Sequence, residues 1–155
     1  MVLKMEKKAL QDKSPEIISN CWGCGRNNED GLQIKSYWEG NEAICTWKPQ
    51  KYHLAFPGIL NGGIIATIID CHCLSTANTT YLKAKGIETN EIGQESFITG
   101  SLFVKYLKPT PVDKPITLRA KVKETKGRKI TVTCDLYSRK KLCATGEVVA
   151  IKITP

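Results

Sequence analysis

The chain has 155 residues, 41% apolar and 25% charged, with a formal net charge of +8. That size and balance fit one globular domain with its own core. The composition excludes two classes. Aromatic content is 7% and the lysines are dispersed, so no basic stripe interleaved with aromatics marks a nucleic-acid module. The longest apolar run, 64–69, is far too short to span a bilayer. An anionic small molecule remains the ligand class that the positive charge suits.

The lysine-rich start, Met1 to Ser14, lacks the apolar segment of a secretory signal, so a cytoplasmic location and a flexible extension over residues 1–15 are expected. The seven cysteines are an odd number, which fits free thiols in a reducing compartment. Cys21-Trp22-Gly23-Cys24-Gly25 is a CxxC that leads into a polar loop, not into a helix as a redox motif would. A structural zinc site usually takes two such pairs. The other close pair, Cys71 and Cys73, flanks His72 at i and i+2, where helical side chains diverge. The CxxC is therefore expected to be a structural turn, with no metal bound. Cys71 and Cys73 are expected to be inert core residues, and His72 an interface or packing residue.

Leu32 to Trp38 alternates as a half-buried strand does, Glu39-Gly40-Asn41-Glu42 is a turn, and Ala43 to Trp47 returns as a hairpin partner. Residues 50–60 form a loop around Pro57-Gly58. A helix is predicted from Asn61 or Gly62 to about Lys83, capped by Asn61 and closed by Gly86. Phe97 to Leu107, Pro115 to Val122, Lys129 to Tyr137 and Leu142 to Ile151 then alternate as strands joined by short turns, which implies antiparallel neighbours. Two strands, one long buried helix and then a run of strands define an α+β domain with an antiparallel sheet around a single helix.

The chemistry concentrates at Asn61-Gly62-Gly63 and at Asp70. Two glycines bare the backbone where the helix begins, so its first N–H groups, at the positive end of the dipole, can face a developing negative charge on oxygen. Asp70 follows an isoleucine-rich run, where a carboxylate is costly unless it is paired, at an interface, or at work.

Four segments, in this order and spacing, resemble the hotdog-fold acyl-CoA thioesterases of the phenylacetic-acid-degradation type. They are Cys-Trp-Gly-Cys-Gly with a later Gly-Leu; Phe56-Pro57-Gly58-Ile59-Leu60-Asn61-Gly62-Gly63 with Asp70; Val104 to Val112; and Leu142-Cys143-Ala144-Thr145-Gly146. The resemblance spans Cys21 to Ile153 and implies a single hotdog domain over residues 1–155. It also implies an acyl-CoA substrate, no cofactor, and a homodimer or dimer of dimers with sites at the subunit interface. Carried over residue by residue, it makes Asp70 the general base or nucleophile and the Gly62 N–H the group that polarises the thioester carbonyl. Thr99, ten residues before Pro109, would position water or carboxylate. Apart from the resemblance, Gly63 at the helix start and His53, in the loop eight residues upstream of Asn61, are the residues expected to bind the substrate.

One departure stands out. The family's His-Gly-Gly is Asn61-Gly62-Gly63 here, and an amide cannot transfer a proton. A non-catalytic acyl-CoA or lipid-binding module is thus the alternative function. A hydratase of the same fold is disfavoured, because Ser75 stands where its Asp-x-x-x-x-His pattern would place histidine. Lys105, Lys108 and Lys114 could meet the phosphates of coenzyme A.

Overall fold

The computed structural model describes residues 7–87 and 95–154. Its elements are β1 (Ser36–Glu39), β2 (Glu42–Trp47), α1 (Gly62–Ala84), β3 (Ser96–Tyr106), β4 (Ile116–Lys126), β5 (Lys129–Ser138) and β6 (Lys141–Ile153). The strands form one six-stranded antiparallel sheet in the order β1-β2-β4-β5-β6-β3. This is the expected α+β architecture, one long helix against an antiparallel sheet.

The helix packs across β3, β4, β5 and β6. Ile65, Ile68, Ile69, Cys73 and Ala77 meet Leu118, Val132, Leu136, Ala144 and Val148 in the core. Gly146 on β6 makes the closest approach: a Cβ there would lie 2.4 Å from Ile69 Cγ2, so only bare backbone fits beneath the helix.

A bulge in β3 orients the site. The ladder to β6 pairs Thr99 with Ala150 and then Ser101 with Val149, leaving Gly100 as the extra residue. Ahead of it, Phe97 and Thr99 point at the helix: Phe97 packs 5.8 Å from the Tyr81 ring and Thr99 reaches Asp70. Beyond it the parity changes, and Val104 and Tyr106 are the residues that face inward. An unbroken strand would turn one set away.

Two expectations need correction. The strand predicted from Leu32 begins only at Ser36, because the backbone before it is bonded elsewhere. Leu32 N donates to Trp22 O (2.8 Å) and Ile34 N to Gly23 O (3.3 Å), which ties this segment to the CxxC loop. The flexible extension is docked from residue 9 onward. Leu10–Lys13 forms a 3-10 turn whose Leu10 and Gln11 are buried.

Gln11 anchors a buried polar chain. Its Nε2 donates to Ser36 Oγ (2.8 Å) and Ser75 Oγ (3.1 Å), and its Oε1 accepts from Ser36 N (2.7 Å). His72 lies 2.7 Å from Ser36 Oγ through Nδ1 and 2.9 Å from Ala43 O through Nε2. A carbonyl only accepts, so Nε2 carries the proton and Nδ1 accepts from the serine hydroxyl. His72 is thereby fixed as a neutral packing residue.

Candidate active site

Helix α1 begins as the sequence predicts. Asn61 Oδ1 accepts from Ile64 N (3.1 Å), and Asn61 O accepts from Ile65 N (3.1 Å). Among the described residues, neither Gly62 N nor Gly63 N has a protein acceptor. Two N–H groups at the positive end of a 23-residue helix therefore stay open to a ligand. Tyr106, from the far end of β3, donates its hydroxyl to Gly62 O (2.7 Å) and lays its ring along Gly62. The open end faces a cleft of about 600 Å³ lined by Phe56, Ile59, Ile65, Tyr106, Leu107 and Pro109 among others. Such a lining suits an apolar chain.

Asp70 is half-buried, two turns further along α1. Thr99 Oγ1 lies 2.8 and 3.0 Å from its two carboxylate oxygens, so the hydroxyl donates to this carboxylate. Burial pushes the Asp70 carboxyl above its ordinary range, and the Thr99 hydrogen bond pulls the other way. A carboxylate held by one donor and raised by burial is a base that can accept a proton from water.

His53 is placed differently from the glycines. It is buried beside Trp47 (5.2 Å between centroids) and Tyr52 (4.7 Å), and its Nδ1 accepts from Gln50 N (2.8 Å). Its link to the helix start is its carbonyl, which accepts from Asn61 N (3.0 Å). The structure thus brings Asp70 together with Thr99, and Asn61 together with Gly62, Gly63 and the His53 backbone. Sequence reasoning missed Tyr106; it lies inside the Val104 to Val112 segment, but nothing in one sequence says that its hydroxyl returns to residue 62.

A third group was also missed. The Cys21, Cys24 and Cys71 sulfurs lie within 4.8 Å of one another, with Cys21 and Cys71 3.8 Å apart. The Cys24 and Cys71 thiols, with backbone N–H groups of the loop, hold Cys21 well below the ordinary thiol range; Cys24, the donor, is pushed up to about 12. Sequence spacing places Cys71 beside Cys73, far from the CxxC. The divergence of those two side chains is correct, and it sends Cys71 alone to the CxxC loop.

A single helix crossing an antiparallel sheet, with an open N-terminus over an apolar cleft and a carboxylate two turns on, defines the hotdog class of thioesterase-like domains. Comparison with known proteins agrees: the family model described as Thioesterase superfamily matches residues 57–145, and the chain belongs to that superfamily. It is 28% identical over 149 residues to an acyl-coenzyme A thioesterase THEM4 from Rattus norvegicus, covering 92% of this chain and 59% of that protein. The chain thus spans little more than half of this curated relative. Among solved structures, a thioesterase superfamily protein from Shewanella loihica is 35% identical, with a TM-score of 0.64 over 77% of this chain and 90% of that one. The Bacillus halodurans protein BH2602, solved with CoA, shares the fold at 19% identity and a TM-score of 0.61, over 79% of this chain and 72% of that one.

Proposed function

We propose that this chain hydrolyses an acyl-CoA thioester to the free acid and CoA, working as a homodimer or a dimer of dimers. The observation that carries the reading is the pairing of two features on one helix: unclaimed N–H groups at Gly62 and Gly63, and the Thr99-bound carboxylate of Asp70. The acyl chain occupies the apolar cleft beside Tyr106 and Ile65. The thioester carbonyl accepts from the N–H of Gly62, and negative charge gathers on that oxygen as attack proceeds. Asp70 takes a proton from water, the hydroxide adds to the carbonyl carbon, and the C–S bond breaks to release CoA thiolate. Direct attack by the Asp70 carboxylate, followed by hydrolysis of the anhydride, satisfies the same geometry. A thiolate is a good leaving group, so the step needs no strong general acid, and Asn61 in place of histidine is compatible with it.

Gly62 and Asp70 are eight residues apart, which is about 12 Å along a helix at 1.5 Å per residue. That is a long span for one carbonyl and its attacking water to bridge within one chain. The reading therefore pairs Gly62 of one subunit with Asp70 of another. The acyl-coenzyme A thioesterase named among the relatives and the CoA-bound structural neighbour support the substrate class.

The test is release of CoA, resolved by chromatography, from short, medium, long and aromatic acyl-CoAs, with Asp70→Asn in parallel. Wild-type turnover that falls about 10²- to 10⁴-fold in Asp70→Asn supports the assignment. Turnover unchanged in the variant removes Asp70 from the chemistry. Acyl-CoA binding without turnover in either protein makes the domain a binding module.

A further inference from the structure

The CxxC loop plays no part in the chemistry proposed above, yet it is closely built. We infer that Cys21, Cys24 and Cys71 form a binding site for a thiophilic divalent cation of the zinc class, seated between this loop and the third turn of α1. The three sulfurs lie within 4.8 Å of one another, and Cys21 Sγ is 3.8 Å from Cys71 Sγ. A tetrahedron with metal–sulfur bonds of about 2.3 Å has edges of about 3.8 Å, so this pair already has the spacing of two ligands on one ion. Three soft thiolate donors select for such a metal over calcium or magnesium, which take oxygen. The fourth corner is left to a solvent molecule.

The surroundings are cut to hold the sulfurs together. A Cβ on residue 23 would lie 2.4 Å from Cys71 Sγ and 2.9 Å from Thr67 Cγ2, so glycine is what lets the loop rest on the helix there. Gly25 N donates to Cys21 O (2.7 Å), and a Cβ on Gly25 would lie 2.4 Å from both Cys21 N and Ser19 O. On the outer side, Leu32 N and Ile34 N fasten Trp22 O and Gly23 O. The loop is therefore fastened on both sides without an ion, and N–H groups of Gly23 and Cys24 bond to the Cys21 sulfur. Cys21 and Cys24 are half-buried, which gives an ion a way in, whereas Cys71 forms the buried floor. The other four cysteines are buried elsewhere in the core, where thiols serve as small apolar residues.

The test uses the whole chain, purified under a reductant that does not bind metal, stripped with a chelator and titrated with Zn²⁺ against a competing indicator. Co²⁺ is added in parallel as a spectroscopic probe. One Zn²⁺ per chain, a sulfur-to-cobalt charge-transfer band and a melting temperature several degrees above the stripped protein are expected. Outer-shell groups alone change metal affinity about 10- to 100-fold, so loss of a ligand in Cys71→Ser should weaken binding by about 100-fold or more. Cys143→Ala, in the core, should bind as wild type does. Should the helix variant be insoluble, Cys21→Ser, on the half-buried loop, supplies the same readout. Binding that is equal in wild type, Cys71→Ser and Cys21→Ser overturns the inference. So does a fully reduced wild-type chain that takes up no metal, or one isolated with a Cys21–Cys24 disulfide that still takes up none after reduction.

Discussion

Asn61 holds its place through its own backbone and side chain: its N–H is bonded to His53 O and its Oδ1 caps Ile64 N. What it leaves free is the N–H of the next residue, and that single group can be removed without disturbing the helix. Proline is favoured at the first helical position, and Asn61 already has the extended backbone (φ −61, ψ 134) that a following proline requires. Gly62→Pro should fold normally by circular dichroism and lower kcat about 10²- to 10³-fold. A variant with full turnover would show that this N–H does not hold the carbonyl. His72 makes a prediction of another kind. Burial depresses it from 6.5 to about 4, so the unfolded chain binds a proton at a pH where the folded one does not. Its stabilising contribution is complete above pH 6.5 and is lost as the pH falls towards 4. At 1.36 kcal/mol per unit this amounts to about 3 kcal/mol. Urea unfolding of chelated, metal-free protein at pH 7, 5.5 and 4.5 should show the decline. Asp70, Gly62 and Asn61 were legible because a carboxylate after an isoleucine run, or two glycines at a helix start, is locally anomalous. Tyr106 and Cys71 were not, because each acquires its role only from a partner 44 or 50 residues distant.

At the scale of elements, β3 shows how much depends on one inserted residue. Gly100 lets Thr99 and Tyr106 address the same helix from opposite sides of the bulge. A Cβ on Gly100 would lie 2.5 Å from Ile151 Cδ1 and 3.0 Å from Val149 O, so the backbone itself limits relief. Gly100→Ala is expected to cost about 1–3 kcal/mol in chemical denaturation, as overpacking does, and to reduce turnover by more than its stability loss explains. A neutral result would mean that β6 yields more easily than this packing suggests. The alternation in residues 97–107 is that of a strand, but period two does not reveal where the parity changes. α1 was also legible, since Asn61 and Gly86 (φ +68) bracket it. The start of β1 was not, because Leu32 and Ile34 alternate like strand residues while their N–H groups bond to the CxxC loop. Gln11 was hidden for a related reason: a polar residue in a lysine-rich segment reads as solvated until Ser36 and Ser75 are known to meet it.

For the whole molecule the telling feature is the outer edge of β3, which no other strand covers among the described residues. It is the terminal strand of the sheet, 11 residues long, and carries Ile98, Leu102, Phe103 and Tyr106 exposed, Phe103 at 68%. A long apolar edge of this kind is an aggregation liability unless a partner covers it, and a second copy is the partner that the proposed site requires. Light scattering should give twice the chain mass or a multiple of it, and Phe103→Arg should shift the population towards monomer with loss of turnover. A stricter check mixes Asp70→Asn with Gly62→Pro after subunit exchange. If each site draws one group from each subunit, half of the random pairs are mixed and each mixed pair has one sound site. The mixture should then recover about a quarter of wild-type activity. No recovery would place both groups of a site in one chain.

The position of β3 also fixes an order of events in time. β3 is made before β4 and β5, yet its ladder partner is β6, which leaves the ribosome last among the strands. Until β6 arrives, the apolar side chains of β3 wait without a strand beside them, and pairings of this range close slowly. The growing chain is therefore most vulnerable to misassembly when β3 is complete and β6 is missing. Newly made protein should depend on chaperones chiefly during that interval, and damage to the far end of the sheet should appear as insolubility before it appears as lost activity.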